Sequence, residues 1–571
     1  MKKQFILLNL LALLLFLNFF GNARDIYVSL NGNNAGGLTI ANAFKTIQKA
    51  HDISIPGDNI YILSGIYIVE PNRELITITR SGSSGNPITY QAYNLNNKPV
   101  LKMKIQETGS GLGCAFQCIK MVGVHDVNIK GLRLEGANDQ LDVQKGEAVY
   151  NWLVYRTDNH LSTGDATSIN YLSTTNTNGI SITRDAISPT NINYPNNIVI
   201  DGCIISNFSG GGIVSQYADY VTIQWNIIYD CAWYTCYAAS GISVAQGVDP
   251  ANTYKGYKTI VRNNIVYGNK TLVKWISTRN YSDGNGIIAD LNHNVPNEGL
   301  QVVDDYDGKT LFQNNICYNN GGAGLSAVSA NNVNFIGNTV YKNGTRPQNK
   351  GGAYANLAYG YDSQNNRVIN NIVVAQGSPC FQANGSNPNS FTTNNIYFNG
   401  SSTYGTNDIY ADPGFVGTFT NMNGYIANSF KITTNSPAFN NGLFGDWSDY
   451  PDWFGTTRPQ GPMVDIGAVE ISIAGSRIAA ENLDEYENYV GNLFPNPTDS
   501  NLISIDIESK SDGICYVNSI DISGRKISLK EVQLNEGKNK VSLNVKNLPI
   551  GLNFIEFDYD NRIIVRKLIK F

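Results

Sequence analysis

"TLFQNNICYNN" (residues 310–320) is followed by "VNFIGNTVYKN" (333–343), with Asn315 and Asn338 in matching places 23 residues apart. The same shape recurs as "VTIQWNIIYD" (221–230), "TIVRNNIVYGN" (259–269), "RVINNIVVA" (367–375) and "FTTNNIYFN" (391–399). Aligned on Asn226, Asn264, Asn315, Asn338, Asn371 and Asn395, with Gly202 of "IVIDGCIIS" in the same slot, the units lie 24, 38, 51, 23, 33 and 24 residues apart. The shortest spacings define one repeat, and the excess is loop. A second series, Gly212-Ile213, Gly241-Ile242, Gly286-Ile287 and Gly324-Leu325, opens a further short strand in each unit.

Two or three short strands per turn of about 23 residues describe a right-handed parallel β-helix. An Ile or Leu on every coil stacks into a continuous apolar column. Asn tolerates the left-handed turn conformation and bonds to the Asn of the next coil. A β-sandwich is excluded by spacing, since its strands recur about every 8 to 12 residues. Propeller blades of about 40 residues with their own signature are absent. The fold class is therefore all-β: a parallel β-helix with a short N-terminal capping helix, expected over about Ala43–Ile53, and a small β-sandwich behind it.

The N-terminus carries Lys2 and Lys3, an apolar run from Phe5 to Phe20, and Gly21-Asn22-Ala23, the pattern of a secretory signal peptide over residues 1–23. The β-helix is assigned to 24–471, a polar linker to 472–491 and the last module to 492–571. With 15% charged residues, a net charge of −5 and no basic tract, nucleic acid is an unsuitable partner. An acidic polysaccharide is repelled by this average charge unless a cation or a local Lys/Arg cluster intervenes. Eight cysteines in 571 residues are too few for a disulfide framework, although Cys231 and Cys236 are spaced to close a small loop. No pair of CxxC motifs with zinc spacing occurs.

"RDIYVSLNGNNAGG" with "AFKTIQKAHDISIPGDNIYILSGIYI" and "SGSSGNPITYQAY" resembles the start of secreted pectate-lyase-like β-helix proteins, including the family 9 pectate lyases. The resemblance spans about residues 25–400 and implies a secreted carbohydrate-active enzyme. Where that family carries its catalytic Lys, this chain has Ile288, and the "DDGFD"-like calcium motif is missing. The family's base and metal site therefore do not carry over. Residues 435–471, through "TTRPQGPMVDIGAVEI", resemble the closing element of surface-associated β-helix proteins, with Asp465 and Glu470 read as structural. From Asn492, "LFPNPTDSNLISIDI", "SIDISGRKI", "LNVKNLPIGLNFIEF" and the terminal "RKLIKF" resemble the sorting domain of the type IX secretion system of Bacteroidetes. That resemblance implies export through the type IX machinery to the cell surface or beyond.

Residues 279–310 hold six acids in 32, against about 2.6 expected from 46 in 571. Period-2 alternation points Ile288 and Asp290 outward, on one strip with Val214, Ser243 and Ser326. Long loops at 231–258 and 268–310 wall that strip, and Trp233, Tyr234 and Tyr237 offer flat faces for sugar rings. Three functions fit. A lyase eliminating across a uronate needs its carboxylate neutralised and a base for the adjacent proton. Asp304, Asp305 and Asp307, with Asp283 or Asp290, offer oxygens of the kind Ca²⁺ prefers. Catalytic candidates are Asp283, Asp290, Lys309 and Lys274, with Arg279 and His293 binding substrate. A glycoside hydrolase needs two carboxyls about 5 to 9.5 Å apart. Asp283 and Asp290 reach that only through a bend, or with Asp304, Asp305 or Asp307 supplied by a neighbouring coil. A non-catalytic polysaccharide-binding or adhesion protein is the third reading.

Overall fold

The computed structural model describes residues 23–68, 74–108, 111–188, 191–248, 256–292, 306, 308–348, 356–360, 363–383, 389–402, 405–419, 421–443, 445 and 450–472. Further on it describes 489–490, 493, 498, 500–509, 511–520, 526–548, 551–559 and 562–570. The expected signal peptide, except Ala23, and most of the linker lie outside the described residues.

Alternating strands close into coils because each strand buries every second side chain against the others. Three parallel sheets result: eleven strands from Asp25–Val28 to Phe391–Thr393 (sheet A), ten from Ile66–Ile68 to Ile396–Phe398 (sheet B) and nine from Ile76–Ile78 to Phe381–Ala383 (sheet C). The register stacks like on like. Ile200, Ile223, Val261, Phe312, Phe335 and Val368 form one inward column of sheet A. Ile205, Ile228, Val266, Cys317, Val340 and Val373 form that of sheet B, and all twelve side chains are fully shielded from solvent. Each such aliphatic side chain contributes about 1.5 to 3 kcal/mol on burial. Asp290 stands one place beyond Ala289 and pairs across to Ala245 and Val328.

The aligned asparagines form a ladder inside the corner between sheets A and B. Each of Asn226, Asn264, Asn315, Asn338 and Asn371 donates both its backbone N–H and its side-chain amide to the Oδ1 of the next, at 2.9–3.0 Å. Asn395 ends the series on Asp408 Oδ1, at 2.8 and 3.1 Å. The left-handed residue is the one before the ladder position, as at Trp225, Asn263, Asn314, Gly337 and Asn370. Gly202 accordingly occupies that preceding place, and Cys203 N–H bonds to Asn226 Oδ1. This shifts the alignment of the first unit by one residue. A second ladder, unseen in the sequence, runs from the Cys231 N–H through Asn269, Asn320 and Asn343 to Asn356.

Helix α1 (Ile47–Ile53) is shorter than expected, because Thr46 caps it by accepting from the Lys49 N–H. Two helices that the sequence reading omitted, α2 (Val143–Asp158) and α3 (Ala166–Ser173), interrupt one coil and start on the capping carboxylates Asp142 and Asp165. All eight cysteines are buried and free, so Cys231 and Cys236 form no disulfide. Each sits in the packed interior, where burial raises both thiols' pKa.

Residues 450–452 lie at the corner beside sheet A. Asn263 donates to the Pro451 and Asp452 carbonyls, and the Arg262 guanidinium lies 3.3 Å from the Tyr450 ring centroid. Asp465 and Glu470 are buried and accept backbone N–H groups of Asn440, Ile471 and Asp465, a structural role. A second compact unit, Ser472–Phe571 with Phe454–Gln460, contains two antiparallel sheets around Ile503, Ile505, Ile507, Val517, Phe557 and Leu568.

Candidate active site

The outer row of sheet C reads Lys120, Ser181, Val214, Ser243, Ile288 and Ser326 in register. Ile288 points outward as expected and is nearly buried. Lys120 and the Ile288 rung are four strand spacings apart, about 19 Å. A cation at one end and Asp290 beyond the other therefore do not form a reacting pair. Lys309 opens the sheet A strand Lys309–Gln313 and is exposed, so it belongs to a different face from Asp290 on sheet C.

The loops joining sheet B to sheet C gather more chemistry. Residues 230–241 and 268–286 belong to consecutive coils and are tied by Lys270 N–H to Cys231 O at 3.1 Å and Leu272 N–H to Trp233 O at 3.0 Å. Helices α2 and α3 brace both loops through a cluster of Val149, Leu153, Leu172, Cys236 and Val273. Arg279, predicted to bind substrate, reaches across to Asp158 of α2 at 2.8 Å. Trp233 is half-buried and its indole N–H donates to Gly268 O at 2.8 Å, leaving the ring set edge-on to the buried Tyr234. Tyr237 is 43% exposed. Lys274 is exposed on the same bank.

Asp230 ends the strand Ile227–Tyr229, in the left-handed region at φ 54°. Gly268 packs so closely that a Cβ there would stand 2.3 Å from Asp230 Oδ1. That crowding strips water from the carboxyl, and burial pushes its pKa from 3.8 up to about 6, with Lys270 opposing the shift. Burial likewise lowers the Lys270 ammonium pKa, with Asp230 opposing. Next to them the rings of Tyr229 and Tyr267 stack at 5.0 Å, and Tyr267 on Tyr318 at 4.8 Å.

Asp283 takes the following part of the bank, again left-handed at φ 53°. Its carboxylate accepts from Ser282 Oγ at 2.9 Å and Asn285 Nδ2 at 3.2 Å, and its carbonyl accepts from Arg346 at 2.6 Å. Burial raises its pKa, while Ser282, Arg346 and Ser240 hold it down. The structure thus brings Asp283, Trp233, Tyr234, Tyr237, Lys274 and Arg279 to one loop bank and leaves Asp290 and Lys309 on two different sheets. Asp230, Lys270 and Arg346 escaped the sequence reading. The available signal was a charged residue just after a coil strand, as in "IIYD" and "VYGNK". His293, Asp304, Asp305 and Asp307 lie outside the described residues. Among the described residues, no group of three His, Cys, Asp or Glu side chains is placed to hold a metal ion.

Residues 492–570 match the family described as the Secretion system C-terminal sorting domain. The chain therefore carries a type IX sorting domain and is directed to the cell surface or the extracellular space. Among the described residues, no helix is long and apolar enough to cross a membrane. No curated protein matches the sequence. Similar solved structures include pectate lyase Pel9A, at 15% identity over 79% of this chain and 97% of that one, with a TM-score of 0.41. A rhamnogalacturonan lyase is 12% identical over 69% of this chain and 91% of that one, TM-score 0.37. A family 28 exopolygalacturonase from Yersinia enterocolitica is 11% identical over 66% and 67%, TM-score 0.34. At these values the reading of chemistry rests on this chain's own residues.

Proposed function

We propose that this secreted β-helix protein is a polysaccharide lyase that cleaves a uronic-acid-containing polymer by β-elimination at the loop bank. The observation that carries the reading is the meeting of two adjacent coils, where Gly268 packs against Asp230 and accepts the Trp233 indole N–H while the Lys270 N–H bonds to Cys231 O, with burial raising the carboxyl's pKa and lowering the lysine's. Environments that drive acid and base in these directions suit general acid–base work. In its neutral form, the Lys270 amine takes the C5 proton, the C4–C5 double bond forms as the C4–O4 bond breaks, and the Asp230 carboxyl protonates the leaving O4. Solvent then carries the proton from Lys270 back to Asp230. The exposed Lys274 of the same loop supplies local positive charge that an acidic chain needs against a net charge of −5, while Arg279 is paired with Asp158. Trp233 and Tyr237 offer ring faces to the sugars. Asp304, Asp305 and Asp307 would hold a calcium ion, which would neutralise the uronate carboxylate.

Incubation with a panel of uronate polymers, with and without a calcium chelator, tests the reading. The ultraviolet absorbance of an unsaturated uronate is expected, and its reduction by the chelator. No product from any uronate polymer contradicts the lyase reading, and product unaffected by chelation removes calcium. A second reading, a glycoside hydrolase, is favoured by one observation: Asp230 and Asp283 both carry raised pKa values within the bank. New reducing ends without unsaturated product select it. A purely binding protein gives neither signal.

A further inference from the structure

A different face of the molecule holds a cleft of about 360 Å³ on the outside of sheet A. Its floor is one outward row, with Asn128, Val199, Thr222 and Ile260 in register on four successive strands. Three strand spacings make it about 14 Å long. Gly85 and Pro87 close one end and Tyr257 and Lys258 the other, while Asp126, Asn197 and Tyr220 form a side. Farther along this sheet the row is filled by the buried Leu311, and the corner is wrapped by Tyr450, Pro451 and Asp452. Among the described residues the cleft is open.

We infer that this cleft is a subsite for a neutral pyranose oligosaccharide, separate from the loop bank and independent of the lyase reading. Its lining combines apolar Val199 and Ile260 with two tyrosines, the faces that suit the C–H side of a sugar ring. Asn128, Asn197, Thr222 and Asp126 offer hydrogen-bonding groups along the row, so hydroxyls can be matched without a deep apolar pocket. The charge balance decides the class of sugar. The Lys258 side chain is 0% exposed and lies 3.0 Å from Asp219, beneath the Tyr220 ring system at 4.8 Å from its centroid. Its charge is spent within the wall, where it fixes Tyr220. The lining carboxylate, Asp126, is held by His125 at 2.8 Å and Asn197 at 3.4 Å and adds negative charge at the cleft. A uronate meets an acid here and no exposed lysine or arginine of the lining, whereas a neutral hydroxyl meets an acceptor.

Calorimetric titration of the purified full chain with xylotetraose and cellotetraose, and with tetragalacturonate as the acidic control, tests the inference. At least one neutral tetrasaccharide is expected to bind. Thr222→Trp, which fills the floor from an outward position, is expected to abolish that binding. Asn128→Ala is expected to weaken it about tenfold, and circular dichroism is expected to show both variants folded. Unsaturated-uronate production is expected to be unchanged in both. Failure of both neutral sugars to bind overturns the proposal. So does binding left intact in both variants, or tetragalacturonate affinity that falls in the variants in place of neutral-sugar affinity. If Thr222→Trp does not fold, Asn128→Ala decides alone.

Discussion

Asp230 concentrates the tension between stability and chemistry. A carboxyl whose folded pKa is raised from 3.8 to about 6 binds its proton more tightly in the folded protein. Its contribution to stability is therefore greatest below the unfolded value and is lost as pH rises through about 6. Asp230→Asn is expected to raise stability at neutral pH by about 1 kcal/mol, allowing for solvent screening of a half-buried group. The same substitution is expected to lower turnover by about 10²- to 10⁴-fold. Thermal melts and product assays on one preparation check both, and a residue with only a structural role lowers the melting temperature instead. The pH profile follows from the same residues. Below about 6, turnover is expected to climb with pH as Lys270 loses its proton; above it, further gain is cancelled as Asp230 ionises, giving a plateau. In Asp230→Asn the break near pH 6 is expected to vanish from the residual activity, and its persistence assigns it to another group.

At the scale of elements, the asparagine ladder joins the coils by side-chain bonds in addition to the sheet hydrogen bonds. Asn315 accepts from both Asn264 donors and donates to Asn338 Oδ1 and Val261 O. Asn315→Ala leaves these buried groups unsatisfied, and a loss of about 3 kcal/mol is expected from urea unfolding. A loss below about 1 kcal/mol shows that water or a shifted backbone replaces the bonds. The ladder was legible because an Asn recurs beside a strand of fixed pattern. Its one-residue offset at Gly202 was not, because Gly and Asn both accept the left-handed turn. The helices α2 and α3 were also missed, since Val149 and Leu153 lie in an insertion whose only periodicity is its own. The loop bank was half legible. Trp233 and Asp283 stand out in sequence, but Asp230 comes near Lys270, and Arg346 reaches Asp283, only because loops of unequal length end on adjacent coils.

The whole molecule divides the work between two compact units. Each has its own apolar core. A chain ending at Ile471 is expected to fold with the activity of the full protein yet fail to reach the cell surface, which fractionation and circular dichroism check. Loss of folding in that truncation contradicts the independence of the β-helix unit. The secretion signal was legible because the sorting domain repeats fixed strand motifs in order; the reaction was not, because Ile288 occupies the place where the resembled family has its base. The most direct measurement is therefore the rate of unsaturated-uronate formation by the intact protein, Lys270→Met and Lys309→Met on the best uronate polymer. Loss of about 10²- to 10⁴-fold in Lys270→Met, with Lys309→Met near the parent rate, is the expected result. Full activity in Lys270→Met contradicts the assignment of the base to the loop bank.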